Sequence, residues 1–254
     1  MKISIITVVL NNEATISETI ESVLSQKGID LEYIIIDGNS CDNTINIIGS
    51  YISGISKFIS ETDGGIYEAI NKGIMYATGD IIGLLNSDDT YFHDEVLKEV
   101  VDHFESDESL NLLYGNLVYV QKLNSRRIVR KWISKSYYPK FFERGNVPPH
   151  PTLFVKSEVY RKVGLFNLKF QLASDYEFML RLFKYYDFKS KYIDKMLVRM
   201  RLGGVTNKNI KNIIRGNAEV ITAWRYNNLN IPFYFFPAKI VNRIHQFFTW
   251  RQFR

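Results

Sequence analysis

The sequence contains a single cysteine, Cys41, which excludes an internal disulfide framework and is typical of a protein in a reducing compartment. No apolar run approaches the roughly 18 residues that a membrane-spanning helix needs. The apolar N-terminus resembles a signal peptide, but it lacks a small-residue cleavage site, so we interpret it as a buried first strand. With 46% hydrophobic and 23% charged residues, the composition indicates a packed globular protein.

Two absent motifs exclude classes of enzyme that share this type of fold. No G-x-G-x-x-G follows the first apolar run, which opposes a nicotinamide oxidoreductase. A sugar-nucleotide pyrophosphorylase would have a loop rich in Gly and Arg there, and this chain has LNNEAT instead. A non-catalytic nucleic-acid- or membrane-binding module stays open at this point, although it would leave the ordered aspartates described below without a role.

The net charge of +5 is unevenly distributed along the chain. After Gly204 there are eight basic residues and one acidic residue, so the rest of the protein is slightly acidic. Ten aromatic residues follow from Trp224 onward. Mixed aromatic and basic residues suit an interface with anionic lipids, and we predict that residues 231–254 dock on a membrane surface. Packing of this segment on the domain, or in a homo-oligomer contact, is the alternative.

Strand and helix patterns alternate along the first half of the chain. Short β-branched runs predict buried strands, and apolar residues at helical spacing predict helices between them. This alternation predicts an α/β fold with a mostly parallel, doubly wound central sheet flanked by helices. The predicted strands are 2–10, 31–36, 55–60, 81–85, 111–120, 152–155 and 190–198. The predicted helices begin near 15, 42, 66, 94, 157, 174, 208 and 238.

Two local features complete the structural prediction. Thr15 and Glu18 form a capping box, Thr-x-x-Glu, which predicts that the Thr15 side chain caps the first helix. Residues 121–147 are basic and carry no clear periodicity, so we expect them to be irregular.

The stretch ETDGGIYEAINKGIMYATGDIIGLLNSDD, residues 61–89, ends in a pair of carboxylates after a buried strand. Hard divalent cations such as Mg²⁺ and Mn²⁺ prefer carboxylate oxygens and stabilise a departing diphosphate. Asp88 and Asp89 are therefore candidate metal ligands. The alternative is that this polar cluster only caps the following helix.

Other polar residues stand where ligands bind in α/β proteins, at the carboxyl ends of strands. Asp37 follows three isoleucines and could accept hydrogen bonds from a base or a ribose. Asp63 precedes two glycines, and Lys72 could reach a phosphate. A turn residue, a helix cap and a solvated lysine are the respective structural alternatives.

Two residues of the second half are candidates for acid–base or phosphate chemistry. Asp175 opens a helix, whose dipole favours an ionised carboxylate suited to a general base. His150, between prolines, could contact a phosphate or the metal. A helix cap and a structural histidine are the alternatives.

In their order, these residues lie in stretches that resemble the family 2 glycosyltransferases, inverting enzymes with the GT-A fold. More narrowly, the chain resembles bacterial transferases of colanic-acid, exopolysaccharide and O-antigen biosynthesis. The resemblance covers most of residues 3–206. The matching stretches are ISIITVVLNNEATISETIESVLSQ, EYIIIDGNSCDNT, ETDGGIYEAINKGIMYATGDIIGLLNSDD, HPTLFVKSEVYRKVGLFNLKF, ASDYEFMLRL and GGVT.

The resemblance implies roles at matching positions. Asp175 would be the catalytic base, Asp88 the metal ligand with Asp89 as a helper, and His150 a phosphate or acceptor contact. Asp37 would contact the base of the nucleotide. The nucleotide-sugar pocket would consist of Thr7, Val9, Asn11, Asp37, Asp63, Lys72, Asn86, Ser87 and Asp88.

The sequence departs from the family pattern twice. Asn86 occupies the first position of the D-x-D motif, so one acidic contact is lost. The Q-x-x-R-W motif of processive polymerases is absent, so the transfer of a single sugar is expected.

The resemblance also implies a domain plan, a cofactor and partners. Residues 1–206 would form the catalytic domain, with a nucleotide-sugar half to residue 90 and an acceptor half after it, and 207–254 a helical extension. Mn²⁺ or Mg²⁺, a UDP-sugar donor and a saccharide acceptor linked to polyprenyl diphosphate are expected, with no nucleic acid. The enzyme would work in the cytoplasm, at the inner face of the membrane.

Overall fold

A computed structural model of the protein describes residues 1–122, 124–186, 188–203 and 210–248. Strands and helices alternate, as the sequence predicts. The strands are β1 (Lys2–Val9), β2 (Asp30–Asp37), β3 (Lys57–Ser60), β4 (Ile81–Leu84), β5 (Thr90–Tyr91), β6 (Leu112–Gln121), β7 (Asn124–Trp132), β8 (Phe154–Lys156) and β9 (Ser190–Arg201). The α-helices are α1 (Ile16–Leu24), α2 (Thr44–Gly49), α3 (Ile66–Tyr76), α4 (Val96–Ser106), α5 (Ser157–Val163), α6 (Ser174–Leu180), α7 (Ile210–Tyr226) and α8 (Phe235–Phe248). Short 3-10 turns lie at Ile52–Gly54 and His150–Thr152, and a π-helical turn, Arg181–Tyr185, extends α6.

The strands form one sheet in the order β3-β2-β1-β4-β8-β6-β9-β5, and β7 pairs with β6. β1 lies parallel to β2 on one side and to β4 on the other, so these strands end at the same edge. The register places Val9 opposite Asp37 and Ile6 opposite Leu84. The sheet is mixed beyond β4, where β8 pairs antiparallel with both β4 and β6. The predicted α/β architecture with helices around a central sheet is confirmed.

Alternate side chains of β1 enter two hydrophobic cores on opposite faces of the sheet. Ile3 and Ile5 pack with the apolar faces of α1, α2 and α4. Ile6 and Val8 pack with α3, α5, α6 and α7. Because both faces are covered, nearly every residue of β1 is buried, which explains its continuous apolar run. α3 lies so close to β1 that a Cβ on Gly73 would stand 2.4 Å from the Ile6 side chain.

The prediction of an irregular segment at 121–147 is wrong for its first part, because β7 forms a hairpin with β6. Arg130 is buried in this hairpin with its guanidinium 3.9 Å from the centre of the Tyr119 ring. Tyr119 in turn stacks on Trp132. The cation–π contact with Tyr119 thus offsets part of the cost of burying Arg130, in a segment whose basic sequence predicts an irregular loop.

The predicted capping box is also wrong. Thr15 occupies the N-cap position of α1 but makes no side-chain capping bond. Its hydroxyl lies 2.8 Å from Asn12 Oδ1 and 3.1 Å from the carbonyl of Ser87, and so contacts the loop after β4. Glu18 pairs with Arg201 at 2.5 Å instead of returning to the helix start. Both side chains of the predicted capping box therefore bond to residues outside the helix start and do not cap α1.

The start of the C-terminal extension belongs to the main core. Trp224 of α7 is 1% exposed, and its indole N–H donates to the Tyr176 hydroxyl at 2.9 Å. Phe235 is equally buried and packs edge-on against Trp224. None of the helices within the described ranges combines the length and apolarity needed to cross a bilayer. The predicted boundary at residue 206 falls among residues outside the described ranges and stays a prediction.

Glu32 joins β1, β2 and the turn before β4. Its carboxylate accepts hydrogen bonds from Ser4 Oγ at 2.6 Å and from the backbone and hydroxyl of Thr78 at 2.7 and 2.6 Å. Lys2 Nζ lies 2.9 Å away. Burial opposes ionisation, but these donors prevail and lower the pKa of Glu32 to about 2.

We expect Glu32→Gln to lower the free energy of unfolding at pH 7 by about 1–3 kcal/mol, because charged hydrogen bonds are lost. The folded-state pKa of about 2 lies below the ordinary value of 4.5, so this stabilisation is present above pH 4.5 and is lost as the pH falls toward 2. Urea unfolding at a series of pH values from 7 to 3 measures it. The exposed Asp30→Asn serves as control, and a difference between wild type and Glu32→Gln that stays constant over this range would contradict the assignment.

Candidate active site

Asp37, the last residue of β2, is fully buried and fully hydrogen-bonded. Its carboxylate accepts the Ser40 N–H at 2.9 Å, the Ser40 hydroxyl at 2.5 Å and the Ser60 hydroxyl at 2.6 Å. These bonds shape the turn after β2 and connect it to β3. The structure therefore gives Asp37 an organising role, while its predicted contact with a nucleotide base stays a prediction.

The residues predicted around the first strand divide between core and surface. Thr7 is fully buried and its hydroxyl accepts from Tyr33 at 3.1 Å, and Val9 is 5% exposed. Asn11 is exposed, with a positive φ of 48°. Its backbone N–H donates to Ser40 Oγ at 2.8 Å. Asn11 is therefore the member of this group whose side chain reaches the surface, and its loop is bonded to the turn after β2.

Asp63 lies beside the end of β2, as the predicted nucleotide pocket requires. Its Oδ1 accepts the Gly65 N–H at 2.9 Å, next to the start of α3. Its Oδ2 would stand 3.0 Å from a Cβ placed on Gly38. The glycine after Asp37 thus lets the loop that carries Asp63 approach.

Lys72, on α3, pairs with acidic residues of its own neighbourhood. Its Nζ lies 3.0 Å from Glu61 and 3.5 Å from Glu68. The hydrogen bond with Glu61 is the main cause that raises the pKa of Lys72, so the ammonium is charged at neutral pH. Its predicted contact with a phosphate would require Lys72 to exchange these carboxylates for the ligand.

The two carboxylates after β4 differ in their surroundings. Asp89 is 1% exposed; its Oδ2 accepts the Asn86 amide at 3.0 Å and its Oδ1 accepts the Arg201 backbone N–H at 3.1 Å. Burial, and then the neighbouring charge of Asp88, raise the pKa of Asp89 well above its ordinary value. Asp89 is thus bonded inside the protein and poorly placed to take a metal.

Asp88 is half-buried, and its carboxylate makes no hydrogen bond to another side chain in the part of the chain that the structure describes. Burial raises its pKa, while the positive charges of Arg201 and Lys122 oppose this shift. Asp88 is therefore the carboxylate of the pair that is available to a ligand.

The loop that carries this pair is fixed to the loop after β1. The Asn12 amide donates to the Ser87 carbonyl at 3.0 Å and to the Ser87 hydroxyl at 2.9 Å. Thr19 of α1 donates to the Asp89 carbonyl at 2.8 Å. Ser87, predicted as a pocket residue, is half-buried and is held by the loop after β1.

Arg201, the last residue of β9, contacts the loop that carries Asp88 and Asp89, and sequence reasoning missed it. Its side chain is 4% exposed, and its guanidinium lies 2.5 Å from Glu18 and 2.9 Å from the Lys122 carbonyl. An arginine at the end of a strand that also carries Arg199 gives no signal in the sequence, because its partner Glu18 is 183 residues away in the chain.

Asp175, His150 and the start of α3 meet in a second cluster. Tyr67 donates its phenol O–H to Asp175 Oδ1 at 3.1 Å. His150 packs edge-on against Phe166, and Tyr67 stacks on the same ring. Burial lowers the pKa of His150, against the opposing charge of Asp175, which favours a neutral imidazole. The structure thus brings the two predicted residues of the second half together and adds Tyr67, which follows the Gly-Gly pair of the 61–89 stretch.

A residue of α7 supports the helix that carries Asp175. Glu219 accepts the backbone N–H groups of Leu172 and Ala173 at 2.7 and 3.0 Å, just before α6 begins. Sequence reasoning had no signal for this contact, since Glu219 is the sole acidic residue of the basic C-terminal segment. Of the GGVT stretch, only Gly203 lies within the described residues.

Residues 4–161 match the family model described as Glycosyl transferase family 2. This chain belongs to that family. It is 32% identical over 180 residues to an uncharacterized glycosyltransferase of Mycobacterium tuberculosis, covering 70% of this chain and 68% of the relative. The resemblance of the sequence to family 2 glycosyltransferases is therefore confirmed.

Solved structures show the fold. The complex of S. aureus TarS 1–349 with UDP-GlcNAc superimposes with a TM-score of 0.64 at 19% identity, and the match covers 79% of this chain and 58% of that one. Glucosyl-3-phosphoglycerate synthase of M. tuberculosis, solved with Mn²⁺, UDP and phosphoglyceric acid, gives 0.62 at 16% identity, covering 87% and 76%. The predicted GT-A fold is thereby confirmed.

The different surroundings of the paired carboxylates predict different effects on stability. Asp89→Asn places an amide against two donors, and we expect the melting temperature to fall by about 2–10 °C. Asp88→Asn removes a like charge beside Asp89 and loses no side-chain hydrogen bond among the described residues, so we expect an unchanged or higher melting temperature. Thermal melts in metal-free buffer measure both variants. A larger loss in Asp88→Asn than in Asp89→Asn would show that Asp88 is structural.

Proposed function

We propose that the protein transfers a single sugar, with inversion, from a UDP-sugar to a hydroxyl of a saccharide acceptor. The observation that carries this proposal is the placement of Asp175. Its carboxylate is hydrogen-bonded to Tyr67 of α3. α3 directly follows the loop that carries Asp63, which we call the donor-side loop because Asp63 is predicted to bind the donor. A candidate base thus lies against the element predicted to bind the donor, as direct displacement requires.

The comparisons support this reading at the level of the family and the fold. Relatives of the fold have been solved with UDP-GlcNAc, with UDP and Mn²⁺, and with GDP-Man and Mn²⁺, which supports a nucleotide-sugar donor and a divalent metal here. Family membership also favours the transferase over a non-catalytic membrane- or nucleic-acid-binding module. A lipid-linked acceptor and a role in surface polysaccharide synthesis at the inner face of the membrane are parts of the proposal.

The donor set around Asp88 fits a metal whose coordination the substrate completes. Within the described residues no three His, Cys, Asp or Glu side chains lie close enough to hold a cation by themselves. Mg²⁺ and Mn²⁺ commonly use one or two carboxylates and take their other ligands from phosphates and water. Asp88 would hold the cation, which supplies positive charge to the departing diphosphate. Because Asn86 and the bonded Asp89 contribute no free carboxylate, we expect weak metal binding without nucleotide.

The reaction follows from the roles of the residues. Asp175 takes the proton of the acceptor hydroxyl, and the acceptor oxygen forms a bond to the anomeric carbon. The bond between that carbon and the diphosphate oxygen breaks, and its electron pair leaves with UDP. Attack from the side opposite the leaving group inverts the configuration.

Two carboxylate variants test this function. We expect Asp88→Asn and Asp175→Asn each to reduce turnover of the UDP-sugar by about 100-fold or more, because Asp88 would hold the metal on the diphosphate and Asp175 would take the proton of the acceptor. Thermal shifts should separate their roles. Stabilisation by UDP with Mn²⁺ should disappear in Asp88→Asn and persist in Asp175→Asn.

Donor turnover and hydrolysis are measured on folded proteins, with Asp102→Asn as the control. Asp102 is an exposed carboxylate of α4 that pairs with Lys98. Wild-type rates in both Asp88→Asn and Asp175→Asn would refute the proposed function.

We also propose that the C-terminal segment contacts an anionic membrane surface near a lipid-linked acceptor. Phe233 is 96% exposed, and Ile240 and Val241 of α8 are 59% and 63% exposed. Lys239 lies between them in a segment that is strongly basic. Phe235 is buried in the core, so the segment is packed on one side and exposes apolar side chains on the other.

Flotation with liposomes that contain anionic lipid tests this contact. We expect the triple variant Phe233→Ser, Ile240→Ser, Val241→Ser to bind about tenfold more weakly, because it loses exposed apolar surface without touching Phe235. Ile52→Ser, at another exposed apolar residue, is the matched control. Unchanged binding of the triple variant would exclude the membrane contact, and a loss of dimers in sizing measurements would support an oligomer contact instead.

A further inference from the structure

Tyr67 connects the donor-side loop with the candidate base. It is the second residue of α3, and its phenol O–H donates to Asp175 Oδ1 at 3.1 Å. Its ring stacks on Phe166 with centroids 5.9 Å apart. Phe166 stacks in turn on Phe178 of α6, the helix that carries Asp175, at 4.5 Å. Ring packing therefore fixes the phenol relative to α6 independently of the hydrogen bond.

The phenol keeps its proton. Burial, and then the charge of Asp175, raise the pKa of Tyr67 well above its ordinary value. At neutral pH Tyr67 is therefore a donor and Asp175 Oδ1 the acceptor. A hydrogen bond of this kind stabilises the ionised form of the carboxylate.

No other titratable group near Asp175 replaces Tyr67 as the hydrogen-bond donor to its carboxylate within the described residues. His150 faces it with a neutral imidazole, since burial lowers the pKa of that ring. Glu219 of α7 accepts the backbone N–H groups of Leu172 and Ala173. On α6 itself, the Glu177 carboxylate pairs with Arg181 at 2.8 Å. Within the ranges that the structure describes, Oδ2 of Asp175 receives no hydrogen bond.

We propose that Tyr67 is a positioning residue for the reaction: it holds Oδ1 of Asp175, so that Oδ2 accepts the proton of the acceptor hydroxyl. This inference rests on the proposed role of Asp175 as the base. It adds that the orientation of the base is set from the donor side of the protein. Tyr67 itself neither gains nor loses a proton during the transfer.

Tyr67→Phe removes the hydroxyl and keeps the ring that stacks on Phe166. We expect kcat to fall about tenfold with KM for the donor within about twofold, because donor contacts are unchanged. The acidic limb of the pH–rate profile should move upward by about one pH unit, since the ionised carboxylate loses a donor.

Tyr160→Phe is the matched control, because Tyr160 is another buried tyrosine of this aromatic cluster and stacks on Phe178. It should leave both kcat and the pH–rate profile unchanged. An unchanged pH–rate profile in Tyr67→Phe, or a wild-type kcat despite a shifted profile, would overturn the inference. A wild-type rate in Asp175→Asn would instead show that Asp175 is not the base, and would refute the proposed function itself.

Discussion

The parallel pairing of β1 with both β2 and β4 is the constraint on which the site depends. β2 follows β1 on one side of it, and β4 lies on the other, so the connections diverge at β1. In open α/β sheets such a point leaves a crevice at the carboxyl ends of the strands. Here the loops at that edge bond to one another, Asn11 to Ser40 and Asn12 to Ser87. Buried polar groups need partners, and the hydrogen bonds between these loops meet that need and hold the loops together.

The Asp88–Asp89 pair shows how two adjacent carboxylates acquire separate tasks. Asp89 is buried and accepts two N–H groups, whereas the half-buried Asp88 accepts no hydrogen bond from another side chain within the described residues. Asn86 makes this division possible, because its amide donates to Asp89 where an aspartate would repel it. The loss of an acid at this position therefore stabilises the loop while it lowers the negative charge available to a metal.

The sequence predicts elements better than it predicts side-chain partners. Short apolar runs located β1, β2 and β4 to within about one residue, because a strand buried on both faces is apolar along its whole length. It could not reveal that Arg130 is buried on an aromatic ring or that Thr15 bonds to another loop, since both depend on neighbours distant in sequence. Asp175 and His150 were predicted partly from resemblance, and Tyr67 was missed because its partner lies 108 residues away.

α7, in the second half of the chain, packs against α6, the helix that carries the candidate base Asp175. α6 has only seven residues before its π-helical turn, and so short a helix is not stable by itself in water. α7 compensates for this: Glu219 accepts the N–H groups that precede α6, and Asn227 donates to the fully buried Glu177 at 3.1 Å. The buried Trp224 adds an apolar contact and a hydrogen bond to Tyr176. α7 is therefore needed to hold Asp175 in place, and any contact of the C-terminal segment with a membrane would act on a helix that already supports the base.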